Sequence, residues 1–270
     1  MTFNIEIVLP SSKTIRVNEL SNRDYLTIVK YCQNKDIIGL GSFFDELYFN
    51  EDLDIIERFY ALIYIRMMFV NPDITLTVNK RDIRIDIATI LDRIEERYRD
   101  LARTITDGDI EIKLELPHAT YFKSVDEIYK ACITEITVGD QHINFTALSE
   151  DDQEDIMNNL PATIFSQIVA FMTSIQDNFT NIILIEGNES IGIEELEIGL
   201  LGNGCLSFVS SLFNMDLNNF YSLIYTFQNT ILPGSNYFFE MSPIETQAIL
   251  NAHQKRLAEE QRQLQKQNER

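Results

Sequence analysis

The chain has no apolar run long enough to span a bilayer. Its longest apolar patches, such as Ala61-Leu62-Ile63-Tyr64-Ile65, are broken by a charge, here Arg66. No membrane insertion is expected. The opening Met1-Thr2-Phe3-Asn4-Ile5-Glu6 lacks the basic and apolar regions of a secretory signal, which predicts a cytoplasmic site of synthesis. Cysteine is scarce. Cys32, Cys132 and Cys205 are far apart, odd in number and form no CxxC pair, so they predict reduced, buried thiols. Histidine is scarcer in effect: none of His118, His142 and His253 stands in a nucleophile motif. Basic residues number 22 against 42 acidic ones, a net charge of −20. Such a surface repels phosphate backbones and anionic lipid, because phosphate binding rests on counterion release by Lys and Arg. No nucleic-acid partner is expected. The simplest reading of the charge is a solvated acidic surface; the sharper one is a basic protein partner.

Catalytic signatures are missing too. There is no GxxxxGK[ST] loop, HExxH, GxSxG elbow or kinase signature. Acidic neighbours such as Glu95-Glu96, Asp151-Asp152 and Glu194-Glu195 make poor acid/base pairs, since adjacent helical residues do not face each other. Asp107-Gly108-Asp109 lacks the further oxygen ligands of a calcium loop. No catalytic residue, cofactor site or metal site is expected.

What is present is a folded protein: 45% apolar residues, with Phe 17 and Tyr 11. Phe3, Ile5, Ile7 and Leu9 alternate with polar residues, Pro10-Ser11-Ser12-Lys13 turns, and Ile15 and Val17 resume the alternation. Ser21 then caps a helix with Tyr25, Ile28, Val29 and Cys32 at helical spacing. Gly39-Leu40-Gly41-Ser42 reads as a loop; it lacks the third glycine of a dinucleotide motif, Phe44 standing there. Phe43, Phe44, Leu47, Tyr48 and Phe49 form an aromatic cluster that reads as core. Asp54 caps a helix with Ile55, Ile56, Phe59, Ile63 and Met67 on one apolar face.

The strand–turn–strand–helix pattern returns twice. Ile74, Leu76 and Val78 alternate, as do Ile83, Ile85 and Ile87, before a helix bearing Ile90, Leu91, Ile94, Tyr98 and Leu101. Ile110 to Leu116 is one more strand. Ser124 caps a short helix, and Ile133 to Phe145 is the third hairpin, followed by the acidic helix that Ser149 caps. Pro161 then suits the first turn of a long helix carrying Ile164, Ile168, Phe171, Ile175 and Phe179. An apolar run at Ile182 to Ile185, a turn at Glu186-Gly187-Asn188 and an ambiguous stretch at Leu196 to Leu201 come next. Two helices follow, through Leu206 to Phe213 and Leu217 to Phe227. Ser242-Pro243-Ile244-Glu245 has the spacing of a capping box and opens a helix that can run to the end. Leu250, Leu257 and Leu264 on it stand seven apart, half a heptad seam.

The fold class is therefore α+β. An N-terminal half of β-hairpins, each followed by a helix, precedes a mainly helical half with a long terminal helix. The expected division is residues 1–147, 148–242 and a polar helical tail at 243–270.

Several stretches resemble the baseplate hub assembly proteins of T-even-type contractile-tailed bacteriophages. They are Leu148-Ser149 before the acidic helix, Asn159-Leu160-Pro161 with the apolar helix through Phe171, Leu217-Asn218-Asn219-Phe220-Tyr221 with Ile224-Tyr225, and Met241-Ser242-Pro243-Ile244-Glu245. The resemblance covers roughly the last 125 residues, with residues 5–11 as support; residues 74–87 and 111–116 have no counterpart in it. It implies a non-enzymatic morphogenesis factor, an assembly chaperone for the central hub, with other baseplate hub proteins as partners. Its place would be the host cytoplasm, or the virion baseplate if it is a permanent structural subunit, which is the alternative. Homo- and hetero-oligomers both stay open. Leu160, Pro161, Phe220, Tyr221, Tyr225, Pro243 and Glu245 read first as fold determinants. The partner-binding expectation falls on Tyr221, Tyr225, Leu250, Leu257 and Leu264. Two other classes remain at this point. A carboxylate-based enzyme requires a deep polar pocket with converging carboxylates or His142. A nucleic-acid mimic requires its negative charge on one face.

Overall fold

A computed structural model describes residues 4–49, 53–78, 81–101, 103–118, 124–180, 204–233 and 236–268. It opens with an antiparallel hairpin, β1 (Asn4–Val8) and β2 (Thr14–Asn18), in which Ile5 faces Val17 and Ile7 faces Ile15. The alternation puts Ile7, Ile15 and Val17 on a buried face. Ser21 caps α1 (Asn22–Asn34) by accepting the Asp24 amide, and the helix buries Tyr25, Ile28, Val29 and Cys32. Both observations match the sequence reading.

The glycine loop does not. Gly39-Leu40-Gly41-Ser42 lies inside α2 (Ile37–Tyr48), which Asp36 caps through the Gly39 amide. The glycines serve packing: a Cβ on Gly41 would come within 2.9 Å of Leu206 Cδ1, so its bare backbone is what lets a later helix approach. The aromatic cluster behind it is core as expected. Phe44, Tyr48 and Phe49 are buried, and Phe44 packs on Phe213 with ring centroids 5.3 Å apart.

The third helix also departs from expectation. Asp54 does cap α3 (Ile55–Phe69), in a full capping box with Glu57. The helix is no one-faced amphipath, however: Ile55, Ile56, Phe59, Tyr60, Leu62, Ile63, Ile65 and Phe69 are all buried. Elements cover it on more than one side, α4 and α8 among them. A helix apolar all round reads as one-sided only if its flanking positions are ignored.

The second hairpin is β3 (Asp73–Val78) with β4 (Arg81–Asp86), and α4 (Ile87–Arg99) follows. The third joins a larger sheet. β5 (Thr104–Asp107) and β6 (Ile110–Leu114) form a hairpin through Gly108-Asp109. After α5 (Val125–Cys132), β7 (Ile133–Val138) and β8 (Gln141–Asn144) extend it to the order β5-β6-β7-β8. β5 is a strand where only a turn was expected. It has a single buried residue, Ile105, opposite the buried Ile112, so it has no alternation to read. Gly108 and Gly139 hold φ near +60° in the two tight turns.

The helical half follows a short 3₁₀ turn at Phe145–Ala147. It comprises α6 (Glu150–Asn159), α7 (Ala162–Thr180), α8 (Gly204–Phe213), α9 (Leu217–Thr226), a π-helical turn at Phe227–Ile231 and α10 (Pro243–Asn268). α7 packs on β5, α4 and α5, and α8 packs on α1, α2 and α3. Ile164, Ile168 and Phe171 carry the buried stripe of α7. One continuous core runs from Ile7 to Leu250 and joins residues of both halves. The expected features at residues 79–80, 182–201 and 202–203 lie outside the described residues. Cys32 and Cys132 are buried free thiols, and burial pushes the Cys132 thiol up to about 12.

Candidate contact surface

Two places in the fold present chemistry. The first is a polar cleft of about 350 Å³ between the β1–β2 turn, the start of α3 and the residues after β6. Asp54, Glu57 and Glu115 converge there with Lys13, Arg103 and His118. Sequence reasoning missed this site, because its residues come from four separated stretches. Asp54 and Glu57 are committed to structure. Asp54 Oδ1 accepts the amides of Ile56 and Glu57 at 2.9 Å each, and Oδ2 accepts the Tyr98 hydroxyl at 2.7 Å. Glu57 accepts the Asp54 amide at 3.1 Å and the Ser11 hydroxyl, with Lys13 Nζ 3.7 Å away. The network ties the first hairpin to α3 and α3 to α4. His142 is elsewhere: it sits exposed on β8, its Nδ1 2.9 Å from the Thr137 hydroxyl.

Burial holds the Asp54 carboxyl above its ordinary value of 3.8, reinforced by the nearby Glu57 charge. The folded state therefore binds that proton more tightly than the unfolded state. Its contribution to stability is fully present below pH 3.8 and is lost as pH rises through the raised folded value. Asp54→Asn, which keeps a capping oxygen, is expected to flatten this part of the stability–pH curve. Urea unfolding at intervals between pH 3 and pH 7 checks it; an unchanged slope in the variant would refute the assignment.

The second place is the outer face of α9 and its neighbourhood. Asp216 caps α9 through the Asn218 amide at 2.7 Å. Phe220 points inward, 5.9 Å from the Tyr25 ring and 6.0 Å from Phe238. Phe227 lies 5.3 Å from Phe238, which also meets Phe239 at 5.4 Å. This aromatic platform fixes the helix, so its opposite face points outward. Tyr221 is 49% exposed and Tyr225 70% exposed, one helical turn apart. Leu232 and Tyr237 are exposed nearby in sequence. The π-helical turn right after α9 inserts a residue into the register, a feature that recurs at functional sites.

α10 is pinned only at its base. Glu245 Oε2 accepts the Ser242 amide at 3.2 Å, and Ser242 Oγ accepts the Glu245 amide at 3.4 Å, so the capping box is as expected. Asn22 of α1 reaches across. Its Nδ2 donates to the Phe238 carbonyl at 2.8 Å and to Thr246 Oγ1 at 2.6 Å, and its own amide donates to Met241 O at 2.7 Å. The three leucines of the half-heptad seam separate here. Leu250 is buried in the core and serves the fold, whereas Leu257 and Leu264 are 42% and 60% exposed. Every residue from Gln254 to Lys266 is exposed. The structure thus presents Tyr221 with Tyr225 on one helix and Leu257 with Leu264 on another.

Among the described residues, no helix is long and apolar enough to cross a membrane. A sequence model of the family described as T4 bacteriophage base plate protein matches residues 2–185. No curated protein and no solved structure matches the chain. The match includes Leu148-Ser149 and Asn159 to Phe171, which carry part of the resemblance, and extends it to the N-terminal half. It takes in the hairpin at residues 74–87 and the strand at 111–116, which had no counterpart, and it ends before α8, α9 and α10, where most of the resemblance was placed. Spanning well over half of a 270-residue chain, the match shows that this protein belongs to the T4 bacteriophage base plate protein family.

Proposed function

We propose that the protein is a non-enzymatic assembly factor, a chaperone that helps build the central hub of the tail baseplate through protein–protein contact. A baseplate-family protein works among other phage baseplate proteins, which puts contact surfaces ahead of catalytic ones. The observation that carries the reading is the exposed Tyr221–Tyr225 pair, held rigidly by the Phe220–Phe238–Phe227 platform. Tyrosine on a fixed helix offers a large amphipathic contact area at a small entropic cost, which is the residue chemistry of binding hot spots. Leu257 and Leu264 add a second apolar contact. The carboxylates at the heart of the polar cleft cap α3, so the cleft supports the enzyme reading less well.

Replacing both tyrosines with Ala is expected to weaken binding to the baseplate hub proteins by roughly thirtyfold or more, since a single such anchor costs about 2 kcal/mol or more. Folded double variants that capture hub proteins as well as the parent would sink the reading. Mass spectrometry of purified particles separates the two roles. An assembly factor is expected to be absent from mature particles; its presence in them would make it a permanent subunit.

A further inference from the structure

The charge of this chain is segregated along its length. Residues 131–254 contain no Lys or Arg at all and sixteen Asp or Glu. Residues 251–270 carry five basic and three acidic side chains, leaving 17 basic and 39 acidic in the rest. An acidic body thus ends in a basic helix. On that helix Lys255, Arg262 and Lys266 fall on one face with Glu259 among them, leaving it net basic, and Leu257 and Leu264 fall on the opposite one. All six side chains are exposed, and none of the arm from Gln254 to Lys266 is covered by its own chain. The arm past Leu250 is ~27 Å long at 1.5 Å per residue.

The complementary surface is on the same molecule. α6 has no buried residue and displays Glu150, Asp151, Asp152, Glu154 and Asp155 without one base, beside the half-buried Ile156, Met157 and Leu160. It is ~15 Å long, and Lys255 to Lys266 spans ~17 Å. An isolated polar helix of this length is marginal in water and gains from a partner. We propose that the basic arm of α10 docks on the acidic α6 of a second copy of this chain, forming a head-to-tail assembly. Each copy then still offers one free arm or one free α6, so the contact is heterologous and builds a ring or an open chain. The bodies are like-charged, and the stretch from Leu250 to Lys255 separates them by ~8 Å, about one Debye length at physiological salt, so their repulsion is partly screened. The local attraction acts at contact range and survives.

The test uses the full chain alone, by sedimentation velocity over a concentration series. The mass is expected to rise above the 31.3 kDa of a single chain with concentration and to fall back at about 1 M salt, where screening shortens to ~3 Å. Reversing the arm (Lys255→Glu, Arg256→Glu, Arg262→Glu, Lys266→Glu) is expected to give monomer. So is reversing α6 (Asp151→Lys, Glu154→Lys, Asp155→Lys), which leaves the Ser149–Asp152 cap intact. Mixing the two reversed proteins is expected to restore the larger species, because an acidic arm then meets a basic α6. Circular dichroism confirms that the variants are folded, and neutral Gln replacements stand in for any that is not. A parent that stays at 31.3 kDa throughout overturns the proposal and leaves the arm to a different protein. Assembly that survives either reversal, or a mixture that stays monomeric, overturns it as well. None of these outcomes touches the hub-assembly reading, whose test needs the hub proteins.

Discussion

Phe238→Ala is expected to lower the unfolding free energy by about 3–5 kcal/mol, the range found for deleting a fully buried phenyl ring. Phe238 is 1% exposed and meets the rings of Phe220, Phe227 and Phe239. Its carbonyl also accepts the Asn22 side chain, so the residue stands where α1, α9 and the base of α10 meet. Alanine leaves a ring-sized void between helices that are themselves fixed by backbone hydrogen bonds, and a rigid surround cannot collapse to fill it. A typical domain holds only about 5–15 kcal/mol in reserve, so the denaturation midpoint is expected to move sharply. Urea unfolding measures it, with an unchanged slope indicating that the folded state keeps its compactness. A loss below about 1 kcal/mol would show that the aromatic platform does not hold α9, and the argument for a rigid Tyr221–Tyr225 surface would fail with it.

Arg66→Met is expected to cost about 3 kcal/mol. Arg66 sits on the central helix α3, 8% exposed, and burial pulls its guanidinium pKa below the ordinary value. Its Nε donates to the Leu212 carbonyl at 2.8 Å, and Nη1 donates to the Asn71 carbonyl. Leu212 belongs to the last turn of α8, whose carbonyls have no partner within the helix and carry the negative end of its dipole. A buried cation there satisfies an orphan acceptor and complements the dipole at once. Methionine keeps the apolar stem but strands the buried Leu212 carbonyl, and a buried acceptor without a donor loses its full desolvation cost. Lysine places a point charge without the planar fork, so Arg66→Lys is expected to recover only part of the loss. Thermal or urea unfolding of both variants checks this order; equal stability of Arg66→Met and the parent would refute it.

The two residues also mark where reading the sequence stops. Arg66 looks like the charge that interrupts an apolar run. In the fold it is the buried clamp between α3 and α8. The glycines at 39 and 41 look like a loop, because glycine disfavours helices. In the fold a Cβ on Gly41 would lie 2.9 Å from Leu206 Cδ1, so any side chain there would have to displace Leu206. Leu250, Leu257 and Leu264 share one spacing, yet the first is core and the other two are surface. In each case the deciding partner lies far away in the chain, where no local pattern reports it.

The sequence by itself determined the local elements: the period-two hairpins, the caps at Ser21, Asp54, Ser124, Ser149 and Ser242, and the helical stripes. It did so because strand alternation and helix capping are satisfied within a few residues. It also carried the family, over residues 2–185. Only the tertiary structure decided that the third hairpin completes a four-stranded sheet and that α3 is buried on more than one side. The same holds for the joining of Asp54, Glu57 and Tyr98 into one network. Those outcomes depend on burial and hydrogen bonding between segments tens to hundreds of residues apart, and a one-dimensional pattern does not encode who meets whom.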